Sequence, residues 1–205
     1  MSGTDAPVIL WFRRDLRLAD NPALTEAVAI GRPVVPLYVL DEAAEGRPLG
    51  GASKWWLERS LQALSEALDK AGAPLVLRRG PAEAVLRELI DETGADTVFM
   101  NRRFEPESFA ADADIAHALK DEGVECRGFN GSLLARPGSV LTQAEKPYKV
   151  FTPFYRALME AIEPPPARPA PARIKGVEGV MSDRLADWGL YEARPDWAAR
   201  FDARA

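Results

Sequence analysis

Five short apolar runs, each separated from the next by a stretch of helical spacing, limit what this chain can fold into. The runs lie at 8–12, 33–40, 75–77, 97–100 and 124–129. Between them, apolar residues recur at helical intervals. These are Leu24 and Val28, then Leu57, Leu61, Leu64 and Leu68, then Val85, Leu86, Leu89 and Ile90, and then Phe109, Ala113, Ala116 and Leu119. The punctuation agrees. Asn21-Pro22 pairs a capping residue with proline at the first helical position. Gly50-Gly51, Pro81 and Pro106 open the next three helices, and Gly31, Gly72, Gly94 and Gly123 close all four. The strands are apolar throughout rather than at every second residue, which requires cover on both faces. The expected fold is therefore α/β: a Rossmann-like, doubly wound sheet of about five parallel strands with helices on both faces.

The pattern breaks after residue 130. The stretch 131–147 has no sustained period, and 152–162 reads as a helix. Residues 163–173 are rich in Pro and Ala and read as an extended linker. The chain from 180 to 205 is charged and carries Trp188 and Trp197. This divides the sequence into an α/β domain over 1–162, a Pro-rich linker over 163–180, and the start of a further unit over 181–205.

A chain of 205 residues can bury one full-sized core. The net charge of −5 argues against gripping a phosphate backbone unaided, because that depends on clustered Lys and Arg. The single cysteine, Cys126, allows no internal disulfide and fits a reducing compartment. Residues 1–7 do not lead into a signal-length apolar segment, and no run approaches the ~20 residues of a membrane helix. The expectation is a soluble, cytoplasmic protein with no membrane partner.

In an open parallel sheet, ligands bind outside the carboxyl ends of the strands, where strand order reverses. Strand one usually lies beside strand four across that reversal. The segment after strand one is Arg13-Arg14-Asp15-Leu16-Arg17, and the segment after strand four is Asn101-Arg102-Arg103-Phe104-Glu105. Both are unusually polar, and the topology makes them neighbours. No G-x-G-x-x-G follows strand one and no Walker motif occurs, which argues against a nucleotide held by a glycine turn. Glu105 stands before Pro106, either as a helix-end carboxylate favoured by the dipole or as an acceptor for a heterocycle. Arg13, Arg14 and Arg17 either pair with Asp15 and Asp20 or face a ligand. On the second helix Trp56 flanks the leucine stripe and is expected in the core. Trp55 points away from it and is expected to be exposed. Lys54 is either solvated or reaches a ligand. Cys126 is expected to be buried and inert. One histidine, His117, supports neither a metal site nor a Ser-His-Asp set.

Two separated motifs carry a resemblance. Leu10–Arg17 followed by Ala19-Asp20-Asn21 is similar to the opening of the DNA photolyase and cryptochrome family, and Tyr148–Phe154 resembles the segment that closes its α/β domain. The Asn101–Glu105 loop and the helix from Gly50 to Leu61 also match. The resemblance implies an N-terminal domain holding an antenna chromophore and a larger helical C-terminal domain holding FAD. That second domain would bind damaged DNA. The antenna harvests near-UV and blue light, and its excitation passes to reduced FAD. The flavin lends an electron that splits a cyclobutane pyrimidine dimer, flipped out of the duplex for the purpose. The parent activity would be that of a deoxyribodipyrimidine photo-lyase, a carbon–carbon lyase of DNA repair. This chain alone, ending where the FAD domain should begin, is expected to be inactive.

Carried onto this sequence, the resemblance makes Glu105 the residue contacting the antenna ring. Asn101, Arg103 and Phe104 share its loop, Arg13, Arg14 and Asp15 line the neighbouring strand end, and Asp41 and Lys54 flank the site. The antenna implied first is 5,10-methenyltetrahydrofolate, with 8-hydroxy-5-deazaflavin or FMN as alternatives, in a pocket expected to be empty in the isolated domain. The implied partners are the FAD domain and, through it, damaged DNA; self-association through the uncovered docking face is also expected. A cryptochrome photoreceptor domain and a stand-alone nucleotide-binding module remain the other readings.

Overall fold

The computed structural model describes residues 5–42, 48–163, 166–191 and 197–201. Five strands, β1 (Val8–Phe12), β2 (Val34–Leu40), β3 (Val76–Arg79), β4 (Thr97–Asn101) and β5 (Glu125–Phe129), form one sheet in the order β3-β2-β1-β4-β5. All four pairings are parallel. The connecting helices are α1 (Pro22–Ala29), α2 (Gly51–Ala71), α3 (Ala82–Thr93) and α4 (Pro106–Asp121). A fifth helix, α5 (Phe151–Ala161), follows the irregular stretch after β5. The doubly wound α/β expectation holds.

The strand period of two sorts the core into two layers. Val8, Leu10 and Phe12 of β1 pack with Leu24 of α1 and with Leu61, Leu64 and Leu68 of α2. Ile9 and Trp11 face the other way, onto Val85, Leu86 and Leu89 of α3 and Ile115 and Leu119 of α4. Each layer is continuous, so the central strands are buried on both faces. The edge strand β5 departs from the all-buried expectation: Glu125 and Arg127 are exposed. An edge strand has a neighbour on one side only. Here Arg127 covers its flank, lying 5.0 Å from the Phe99 ring and 5.3 Å from the Phe129 ring and pairing with Glu26 at 3.1 Å.

Helix ends follow local chemistry. Asn21 caps α1: its side-chain oxygen accepts from Leu24 N at 3.1 Å and its amide donates to Arg17 O at 3.0 Å. The same oxygen accepts from Asn101 Nδ2 at 2.8 Å, so one fully buried side chain ties α1 to the end of β4. Asn21→Ala removes the cap and strands those partners. It should cost about 2 kcal/mol in urea unfolding. A loss below about 0.5 kcal/mol would show that the cap does not matter.

The opposite edge, β3, is covered by the chain that follows α5. Residues 166–173 lack regular secondary structure, with Asp20 N donating to Arg168 O at 2.8 Å, and the chain then docks along the sheet. Ile174 N donates to Ala71 O and Val34 N donates to Lys175 O, each at 2.8 Å. Farther on, Leu77 N donates to Ser182 Oγ at 2.9 Å and Asp183 N donates to Leu77 O at 2.8 Å. Ile174, Trp188 and Leu190 are buried in the α1/α2 layer, and the Trp188 ring lies 6.1 Å from Tyr38. Within the proposed linker, 164–165 lie outside the described residues, as do 192–196 and 202–205 of the proposed further unit.

Four side-chain expectations are corrected. Trp55 is buried, and Trp56 is 51% exposed. Trp55 does point away from the leucine stripe, but Trp197 and Phe201 cover it, with ring centroids 5.8 and 6.2 Å away. Phe109 is 53% exposed; α4 buries Leu119, as expected, together with Ile115. Cys126 is half-buried rather than buried, because it lies on the edge strand. Burial still pushes its thiol up to about 11, so it is protonated and unreactive near neutral pH.

Candidate functional site

β1 and β4 are adjacent, so the loops after them leave the sheet side by side at the strand-order reversal. The two loops are joined by direct bonds. Asp15 accepts from Arg13 N at 2.9 Å and from Asn101 Nδ2 at 2.6 Å. The Arg13 guanidinium donates to the Asn101 carbonyl and to Met100 S. Arg14 pairs with Glu105 at 2.7 Å. Arg17 donates to carbonyls, Asp20 O at 2.9 Å and Gly131 O at 2.6 Å, rather than pairing with a carboxylate.

A cleft of about 370 Å³ opens beside these loops, above the carboxyl ends of β1 and β2. That size lies within the range of small-molecule sites. Of the sequence-derived candidates, Arg13, Arg14, Asp41, Lys54 and Arg103 line it. Asn101 and Asp15 do not; they are consumed by the bonds that hold the loops together. Phe104 N donates to Glu105 Oε2, and Glu105 itself is exposed on the rim, reaching the cleft only through Arg14. Its own backbone N–H first, then Arg14 and the Phe104 N–H, hold the Glu105 carboxyl below its usual range.

Asp112 of α4 organises the cationic wall. Its carboxylate meets Arg103 at 2.6 Å and Arg13 at 3.5 Å, and all three side chains are largely buried. Arg13 also stacks on Trp11, with its guanidinium carbon 4.4 Å from the ring centroid. Burial pushes the Arg13 guanidinium down to about 10, partly offset by Asp112 and Asp15, so it stays charged at neutral pH. Two buried donors, Trp11 Nε1 and Arg13 Nε, have no protein partner. Both belong to residues lining the cleft.

Sequence reasoning missed Trp11, Glu83, Asp114 and Leu190, which also line it. Trp11 carried a readable signal: it stands two residues before Arg13, which immediately follows β1 and stacks on its ring. Among the described residues no group of three or more His, Cys, Asp or Glu could hold a metal, and no helix is long and apolar enough to cross a membrane.

The fold is a doubly wound α/β domain with a crevice where the sheet winding reverses. The chain belongs to the DNA photolyase family, whose profile matches residues 8–172. It is 48% identical over 202 residues to the deoxyribodipyrimidine photo-lyase of Agrobacterium fabrum, a match covering 98% of this chain and 42% of that protein. It is 35% identical over 193 residues to cryptochrome-1 of Arabidopsis thaliana, covering 93% of this chain and 28% of that protein. A bacterial class III photolyase from Agrobacterium tumefaciens superposes with a TM-score of 0.90 at 47% identity, covering 97% of this chain and 41% of that one. An archaeal photolyase from Sulfolobus tokodaii, described with two FAD molecules and the implication of a novel light-harvesting cofactor, superposes at 0.73 with 25% identity, covering 86% of this chain and 40% of that one. The chain thus spans less than half the length of these relatives.

Proposed function

We propose that this chain is the antenna-chromophore domain of a light-driven DNA repair enzyme that splits cyclobutane pyrimidine dimers. The observation that carries this reading is the 48% identity to a deoxyribodipyrimidine photo-lyase, sustained over 98% of the chain. FAD and damaged DNA would be engaged by the further length that such relatives possess. α5 leaves a row of apolar side chains uncovered, with Phe151 at 73%, Tyr155 at 49% and Met159 at 46% exposure. Their spacing of four places them on one helix face. That row supports docking of a second domain.

The cleft fits a bound pigment. It offers aromatic and aliphatic walls and a stacked Arg13–Trp11 pair. An antenna pigment would supply light absorption and pass its excitation onward. The chain's own residues hold, orient and shield. Trp11, Arg13, Arg103 and, from α2, Lys54 line it, and Asp112 fixes Arg103 and Arg13. Glu105 holds Arg14 at the rim.

The test is blue-light repair of dimer-containing DNA by the full-length natural protein; no repair would favour the cryptochrome reading that the Arabidopsis relative also supports. In the same protein, Glu105→Ala removes the carboxylate that pairs with Arg14 at 2.7 Å. It should lower antenna occupancy severalfold, read from pigment absorbance, while repair driven by direct flavin excitation stays unchanged. Unaltered occupancy would remove Glu105 from the site.

A further inference from the structure

After β5 the chain leaves the domain at Gly131, carries α5, and comes back to it at Arg168. Little along this arm holds it down. α5 buries none of its residues, and Leu133, Leu134, Leu141 and Phe151 are exposed. A segment with so few buried apolar contacts takes its orientation from its two ends.

Both ends meet the loop between β1 and α1. At the exit, Arg17 Nη2 donates to Gly131 O at 2.6 Å and also to Asp20 O at 2.9 Å. Gly131 lies close against the Asn101 side chain, where an added Cβ would meet Asn101 Cγ at 2.6 Å. At the return, Asp20 N donates to Arg168 O at 2.8 Å, and Asp20 Oδ1 accepts a longer bond from Arg168 N at 3.4 Å. One guanidinium thus ties the residue that holds the return to the residue at the exit.

The sequence suits this contact on both sides. Arg168 precedes Pro169, which biases it toward an extended backbone. An extended residue turns its N–H and its C=O to the same side, so both reach one partner. Pro166, Pro169 and Pro171 have no N–H, which leaves few other donors in the stretch. Asp20 has a φ of 49°, in the left-handed region that L residues enter at a cost. Such strain persists where neighbouring bonds over-determine the conformation. Here those bonds run to Arg168 and Arg17.

We infer that Arg17 and Asp20 form a clasp across the neck of this arm and act as positioning residues, setting the angle at which α5 presents its apolar row to a second domain. The purpose of the clasp rests on the docking reading above. The clasp itself belongs to this chain alone.

Spin labels at Glu88→Cys on α3 and Glu160→Cys on α5, in a Cys126→Ser background, report the distance between body and arm by dipolar spectroscopy. Both glutamates are exposed. With Arg17 and Asp20 intact, the chain should give one narrow distance distribution. Asp20→Ala loses the acceptor for Arg168 N and meets the full left-handed cost; it should widen the distribution at least about twofold. Asp20→Gly loses only the acceptor and should widen it less. Asp20→Asn keeps an oxygen acceptor and tolerates positive φ, so the distribution should stay narrow. Arg17→Ala frees the exit at Gly131 and should also widen it. The urea midpoint should move little across the Asp20 series, because these exposed bonds add little to the stability of the sheet.

Unchanged widths in Asp20→Ala and Arg17→Ala overturn the inference, as does a wide distribution before either residue is changed. Widening that follows the urea midpoint, with no rescue by Asp20→Asn, also overturns it, since the two residues would then only support the loop. Blue-light repair by the full-length protein is read separately. Repair by a protein whose arm is not held leaves the docking reading standing without the clasp. A held arm in a protein that does not repair leaves the clasp standing without that reading.

Discussion

Asp112→Ala should lower the unfolding free energy of the domain by about 3 kcal/mol, since removing one partner of a buried charge cluster strands the others. Asp112 is the shared counter-ion of two guanidiniums, with contacts of 2.6 Å to Arg103 and 3.5 Å to Arg13. The side chains of Arg13, Arg103 and Asp112 are 7, 13 and 12% exposed. Without the carboxylate, two cations face each other in a poorly hydrated wall, and Arg103 already opposes the charge on Arg13 in the intact protein. Added salt should restore little, because buried charges are weakly screened. Asp112→Asn keeps oxygen and shape but not charge, and should recover part of the loss. The measurement is guanidinium-chloride or urea unfolding of the three proteins in parallel. A loss under about 0.5 kcal/mol for Asp112→Ala would show that water enters and solvates the arginines, and the cationic wall would not be a built feature. Pigment occupancy in the same variants would report whether the wall also positions a ligand.

The central role of Asp112 was not legible in the sequence, and the reason is general. It lies on α4 among other acidic residues, where a charge normally reads as a solvated helix face. Only the fold places it under the end of β1. The strand-end arginines, by contrast, were legible, because charges crowd directly behind an apolar run. Helix boundaries were legible for a similar reason, since their causes are local. Asn21-Pro22 opens α1, and Gly72 ends α2 in the left-handed conformation with φ of 94°. Trp55 shows where local reasoning stops. Its angular position was read correctly, but its burial comes from Trp197 and Phe201, roughly 140 residues later. The strap at 174–190 was invisible for another reason: a Pro- and Ala-rich approach carries no period, and single anchors such as Ile174 and Trp188 look like isolated apolar residues. Within the cleft, the sequence pointed to the charges and passed over Trp11, because a tryptophan in a buried strand reads as core until its donor is found without an acceptor.

Gly176→Ala should release the strap. A methyl group built on Gly176 would lie 2.4 Å from the carbonyl oxygen of Gly72 and 2.6 Å from the Cα of Ala73. Both atoms are backbone at the closed end of α2, so neither can swing aside as a flexible side chain would. The strap must move instead. It then loses the Gly176 N–H bond to Gly72 O at 3.1 Å and strains the bonds from Val34 N to Lys175 O and from Ile174 N to Ala71 O. Ile174, 5% exposed in the native packing, would lose its place in the core. The combined effect is about 2–4 kcal/mol on strap docking. The sheet beneath keeps its own pairings, so the opening should be local rather than global. Trypsin provides the readout, because Arg173 directly precedes the docked segment and Lys175 lies within it. When opening and closing are fast, cleavage follows the population of the open form. Cutting at these two residues should accelerate at least about tenfold in the variant, with amide exchange at Val34 accelerating in step. Unchanged cleavage and unchanged Val34 protection would mean that the chain accommodates the methyl group without leaving α2, and the strap would then be a passive tether rather than the cover of the β2–β3 edge.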